Sequence, residues 1–155
     1  MTDIKPRLTT KAACRIVGFD RDRFNEQVAA GNFPCAPATV PGRARLFEPD
    51  DMIALYLFRE FLDEGTDAKT AGKLACEIAH CARFHPDEPT IALVYTYFHT
   101  PQAFPASAVP DSSTWDEVFF SGTDIRKVLT YRIGKLRTMI AHWTEEERNV
   151  IGEDD

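Results

Sequence analysis

Residues 32–47, Asn-Phe-Pro-Cys-Ala-Pro-Ala-Thr-Val-Pro-Gly-Arg-Ala-Arg-Leu-Phe, hold three prolines and one glycine and cannot form a helix. Apolar residues close this stretch at both ends, Phe33 on one side and Leu46-Phe47 on the other. Val40-Pro41-Gly42 supplies a turn between them, so residues 35–47 read as an extended hairpin or wing. Whatever flanks the segment must therefore be separate, short, and joined through it.

The flanks read as helices. Thr9 or Thr10 caps a helix over 11–17, with Ala12, Ala13, Ile16 and Val17 on one apolar face and Gly18 as its stop. Asp20 caps a second helix, about 21–30, ended by Gly31-Asn32 and Pro34. There Phe24 and Val28, four apart, face inward, while Arg21, Arg23, Asn25 and Gln27 remain for the outer surface. Two short helices around a tight turn make a helix-turn-helix candidate. Beyond the proline-rich segment, Pro49 opens a third helix over 50–64, whose core is Met52, Ile53, Leu55, Tyr56, Phe58, Phe61 and Leu62, ended by Gly65. Thr66 is positioned to cap a fourth, 67–84, closed by Pro86.

The second half differs in character. Residues 90–98, Thr-Ile-Ala-Leu-Val-Tyr-Thr-Tyr-Phe, are β-branched and aromatic, as in a buried strand. Residues 99–114, with three prolines, read as a loop, and Asp116–Ser121 is a candidate strand. Lys127–Ile133 fits two patterns at once. Leu129, Tyr131 and Ile133 alternate as in a strand, while Leu129, Ile133, Leu136, Ile140 and Trp143 follow a heptad. Gly134 favours a break, with helix from about 135 to 148. The expected class is thus mainly α, a winged helix-turn-helix with a small α+β C-terminal region.

At 155 residues the chain is long enough for a sizeable core, and no apolar run approaches the ~20 residues of a membrane span. The start lacks the apolar stretch of a secretory signal, so a cytoplasmic, nucleoid-associated protein is expected. The net charge of −6 conceals a split: residues 1–47 carry +4 and residues 48–155 carry −10. A basic head on an acidic body suits a module that meets phosphate with one face. Cys14, Cys35, Cys76 and Cys81 form no CxxC pair and are expected as reduced thiols packed like small apolar groups.

The order of these parts resembles the MerR-type winged-helix DNA-binding family. The match runs from Leu8-Thr9-Thr10-Lys11-Ala12-Ala13 through Gly18 to Gly31-Asn32-Phe33-Pro34. It continues as Gly42-Arg43-Ala44-Arg45-Leu46-Phe47-Glu48-Pro49-Asp50-Asp51 and ends with the helix around Leu55, Leu62 and Gly65, about half the chain. The resemblance implies a DNA-binding domain at 8–84, a C-terminal region at 90–148 with a role in dimerisation, and an acidic tail at 149–155. Arg23-Phe24-Asn25 stands where typical members carry arginine-tyrosine-tyrosine, and a strand-like segment replaces their long coiled coil. Both departures point to a divergent, phage- or excisionase-like subgroup.

Residues and resemblance together give a sequence-specific regulator of transcription that binds double-stranded DNA, is not an enzyme, and needs no cofactor or metal. A capped helix entering the major groove brings Arg21, Arg23, Asn25 and Gln27 to base edges or phosphates. Arg43 and Arg45 on the wing can neutralise phosphates, and Thr10, Lys11 and Phe47 complete the DNA-binding set that the resemblance implies. A homodimer is expected through the apolar seam Leu136, Ile140 and Trp143.

Two alternatives stand beside this reading: a protein-interaction module or anti-repressor, and a small-molecule-responsive sensor. The sensor would use the aromatic segment Tyr95, Tyr97, Phe98, Phe104, Trp115, Phe119 and Phe120. Cys76 with His80 and Cys81 with His85 have i, i+4 ligand spacing, but the two pairs are turned about 140° apart and cannot all converge on one ion, which leaves a two-ligand site completed by Cys14, Cys35 or a second subunit. No phosphate loop, nucleophile elbow or metalloprotease motif is present.

Overall fold

The computed structural model describes residues 6–39, 42 and 45–151, with the side chains of 149–151 left aside. It forms two compact units, Met1–Cys76 with Leu136–Asp155, and Glu77–Lys135.

In the first unit, α1 (Thr10–Val17) starts where the Thr9 hydroxyl accepts the Ala12 N–H at 3.2 Å. It stops at Gly18, whose φ of +73° turns the chain left-handed at little steric cost. Three residues later α2 (Arg21–Ala29) begins, Asp20 accepting the Arg23 N–H at 2.8 Å. Helix α3 (Pro49–Asp63) has proline in its first turn, and the Glu48 N–H donates to Asp51 at 2.9 Å. Helix α4 (Ala68–Phe84) is capped by Asp67, which accepts the Thr70 N–H at 3.0 Å, rather than by the expected Thr66.

Five phenylalanines join these helices. Phe33 stacks on Phe58 at 4.9 Å and meets Phe24 edge-on at 5.5 Å. Phe19 touches both Phe24 and Phe58, and Phe47 closes on Phe24 at 5.9 Å. All five are buried, each contributing about 1.5–3 kcal/mol of hydrophobic stabilisation.

The proline-rich segment does not pair with itself among the described residues. Its end, β2 (Leu46–Phe47), instead runs antiparallel to β1 (Leu8–Thr9), with Leu8 opposite Phe47. Its beginning rests on α4, where a Cβ on Gly72 would lie 1.6 Å from the Asn32 carbonyl oxygen. One turn along the same face, Cys76 forms a disulfide with Cys35. This corrects the expectation of four reduced thiols; only Cys14 and Cys81 are free, and both are buried.

The second unit contains the end of α4 and an antiparallel sheet in the order β4-β3-β5. Strand β3 (Ile91–Thr96) is central, β4 (Gln102–Pro105) and β5 (Ile125–Tyr131) flank it, and two single-turn 3-10 helices follow β4. The expected loop at 99–114 thus holds a strand, and 127–131 is strand rather than heptad helix. Asp116–Ser121 forms no strand, only a bridge from Phe120 to Thr123. Helix α5 (Ile133–Ile151) includes Gly134, whose N–H donates to the Pro89 carbonyl at 2.9 Å. A Cβ there would lie 3.2 Å from Pro89 Cα, so glycine's poor helix propensity is offset by a close approach. Five strands in two antiparallel sheets overturn the mainly α expectation; the fold is mixed α+β. The cause is that a short edge strand ending in proline leaves a weak local signal.

Two measurements follow from this packing. Gly72→Ala must push Asn32 away from α4, lowering stability by about 2 kcal/mol in denaturant unfolding. A parental unfolding curve would mean that the segment does not sit on Gly72. The disulfide closes a loop between residues 41 apart, which by chain entropy stabilises the fold by about 4 kcal/mol. A reductant should therefore lower Tm in the parent and leave a Cys35→Ser/Cys76→Ser variant unchanged.

Candidate nucleic-acid interface

Helix α2 is the least buried helix of the first unit, with Phe24 its one fully enclosed side chain. Arg21, Arg23 and Asn25 are exposed. At 100° per residue, Asp22 and Glu26 occupy the line opposite Phe24, with Arg21 and Asn25 on one flank and Arg23 on the other. Arg21 lies 3.8 Å from the Asp22 carboxylate, both exposed, an ion pair that solvent weakens. The Arg23 guanidinium is 6.0 Å from the centre of the Phe19 ring, which orients it across the turn.

Where α1 meets the start of α2, an open concavity of about 340 Å³ is lined by Lys11, Cys14, Arg15, Phe19, Asp20, Arg21 and Asp22. Lys11 is exposed and Thr10 half-buried. Arg15, absent from the sequence-derived set, is fixed by Glu147 of α5, whose Oε1 accepts from Nε at 2.7 Å and also from Nη2. Its signal was faint, a lone arginine in the last turn of α1 whose partner lies 132 residues away.

Other expected residues fall elsewhere. Gln27 accepts the Asn32 side-chain amide at 2.8 Å and closes the turn after α2, so its carbonyl is engaged within the fold. Phe47 is wholly enclosed in the phenylalanine cluster and presents nothing to a phosphate. Arg45 is half-buried and donates to the Pro37 carbonyl, folded back on its own segment. Arg43 lies outside the described residues. Leu136 and Ile140 are buried, and Trp143 meets Tyr56 at 6.0 Å, so the apolar seam is consumed by the chain's own packing.

The cysteines of the two i, i+4 pairs are engaged or enclosed. Cys76 is in the disulfide, Cys81 is buried, and the described residues hold no cluster of three or more potential ligands. Burial, reinforced by the charge of Asp20 and opposed by Arg21, pushes the Cys14 thiol up to about 12. Burial also raises Cys81, with the charges of Glu77 and Glu88 adding to it. No helix among the described residues is long and apolar enough to cross a membrane. No family model matches the sequence, and a search of curated proteins finds no match.

The elevated thiol pKa gives a check on this environment. Cys14 stays neutral in the folded chain, whereas an unfolded thiol ionises near its ordinary 9.0. The stabilisation is thus complete below pH 9 and is lost as pH rises toward about 12. Iodoacetamide at neutral pH should leave Cys14 and Cys81 of the native, unreduced protein unmodified by mass spectrometry. Rapid labelling of either would contradict their burial.

Proposed function

We propose that this chain is a sequence-specific DNA-binding regulator that lays α2 in the major groove of duplex DNA. The observation that carries this reading is the exposed α2, held by one buried phenylalanine behind a three-residue turn, with Arg21, Arg23 and Asn25 facing outward. Arginine can donate two hydrogen bonds to guanine and asparagine two to adenine, which is how such a helix reads base edges. The concavity at the α1–α2 junction brings Lys11 beside Arg21, where cations can position a phosphate, while Arg15 on the same wall is paired with Glu147. The net charge of +4 over residues 1–47 favours approach by this end, and the order of parts is similar to that of MerR-type regulators. A regulator of this kind works in the cytoplasm, on the nucleoid.

One feature supports a second reading, a protein-interaction module. The outermost line of α2 is acidic, Asp22 and Glu26, and would face phosphate unless it meets base edges that donate hydrogen bonds, as cytosine does. Salt dependence separates the two readings, because phosphate binding weakens steeply with added salt.

The test begins with selection of bound fragments from random duplex DNA, followed by titrations at several salt concentrations. Arg21→Ala and Arg23→Ala should each weaken binding to the selected site by about 1–3 kcal/mol while leaving Tm near that of the parent. Parental affinity in both variants would remove α2 as the reading element. Failure to enrich any duplex, with no salt-dependent affinity, would favour the interaction module.

A further inference from the structure

The second unit contains a cavity of about 130 Å³ between β3, β4 and the loop before β5. One wall is apolar, formed by Val94, Phe104 and Phe120, the two rings meeting edge to face at 4.8 Å. The rest is polar: Thr96, Gln102 and Thr123, with His99 and two further hydroxyls at the mouth. None of these polar side chains is hydrogen-bonded within the described residues. For exposed groups that is ordinary. Thr96 is the most enclosed of these side chains, 8% exposed, and its hydroxyl keeps contact with the open space of the cavity.

The backbone around the mouth is strained. Phe98 (φ +68°) and Ser121 (φ +53°) are the two non-glycine residues of positive φ among the described residues, one on each loop that flanks the cavity. Such conformations cost free energy and persist only where surrounding contacts hold them. Here the Tyr97 N–H donates to the Asp124 carbonyl at 3.4 Å, tying the two loops together.

Size and lining restrict the occupant. A cavity of about 150 Å³ accepts benzene, so this one, smaller but open at its mouth, limits the guest to about a single six-membered ring. No aspartate, glutamate, lysine or arginine lines it, so apart from His99 at the mouth a charged guest would find no counter-charge. A polyol would place hydroxyls against Val94, Phe104 and Phe120 without partners. A benzene-like ring would leave the Thr96 hydroxyl unbonded. We infer that the cavity is a binding site for a neutral six-membered heteroaromatic ring of pyrimidine-base size, its faces against the phenylalanines and its polar edge on Thr96, Gln102 and Thr123. The site lies wholly within the second unit and does not depend on DNA binding by α2.

The experiment titrates the full-length protein with uracil, followed by amide chemical shifts, with myo-inositol and benzene as separate probes. Uracil should give saturable shifts centred on Thr96, Gln102, Ser121 and Thr123, with Kd on the order of 1 mM or tighter for so few atoms. Thr96→Val keeps the side-chain shape, and Gln102→Leu changes an exposed edge-strand position; each should weaken uracil binding about tenfold. The inference is overturned if 10-fold excess over that expected Kd leaves these amides unmoved, or if inositol or benzene binds there in preference. Parental uracil affinity in both folded variants would overturn it as well.

Discussion

The first unit depends on the contact of Phe33 with Phe58 and Phe24. Phe33 belongs to a segment that its prolines keep out of helix, Phe58 to α3, and Phe24 to α2. One aromatic side chain therefore holds the exit of α2 against the longest apolar surface of the unit. The stack at 4.9 Å and the edge-on contact at 5.5 Å are geometries in which aromatic pairs contribute beyond simple area burial. Because Phe24 is the one fully enclosed residue of α2, the helix is positioned by a single anchor, which leaves most of its surface exposed.

Backbone contacts reinforce that anchor. Gly72 admits the Asn32 carbonyl against α4, and Cys76, one turn on, bonds covalently to Cys35. A small residue and a crosslink on one helix face thus determine where the non-helical segment starts its return to β2. In a reducing compartment the crosslink would open, leaving the glycine contact and the aromatic stack to hold the segment. Gln27 joins the same corner through the Asn32 amide, which is why it serves the turn and is engaged there. The second unit uses the same device once more, with Gly134 admitting Pro89 at the start of α5.

The two proposed sites differ in physical kind. On α2 the relevant groups are solvated cations and an amide on a convex surface, suited to a partner with its own regular array of charges and edges. In the sheet unit they are hydroxyls and an amide around a small concavity with an aromatic wall, suited to a small neutral guest.

Much of the helical framework was legible in the chain itself. Thr9, Gly18, Asp20, Pro49 and Gly65 mark the ends of α1, α2 and α3 because caps and stops act over three or four residues. The run at 91–96 declares a buried strand by composition alone. The outward placement of Arg21, Arg23 and Asn25 followed from helical spacing once Phe24 was set inward. Tertiary structure decided the rest. Lys127–Tyr131 fits two periods equally, and pairing with β3 selects the strand. Leu136, Ile140 and Trp143 form the same apolar stripe whether the partner is a second chain or this one, and only packing shows it to be this one. Phe47, Arg45, the disulfide and the Gly72 contact each join residues distant in sequence, from 8 apart in Arg45–Pro37 to 41 apart in Cys35–Cys76. Local propensity describes which face of an element is apolar, but the identity of the face it meets is set by the whole chain's packing.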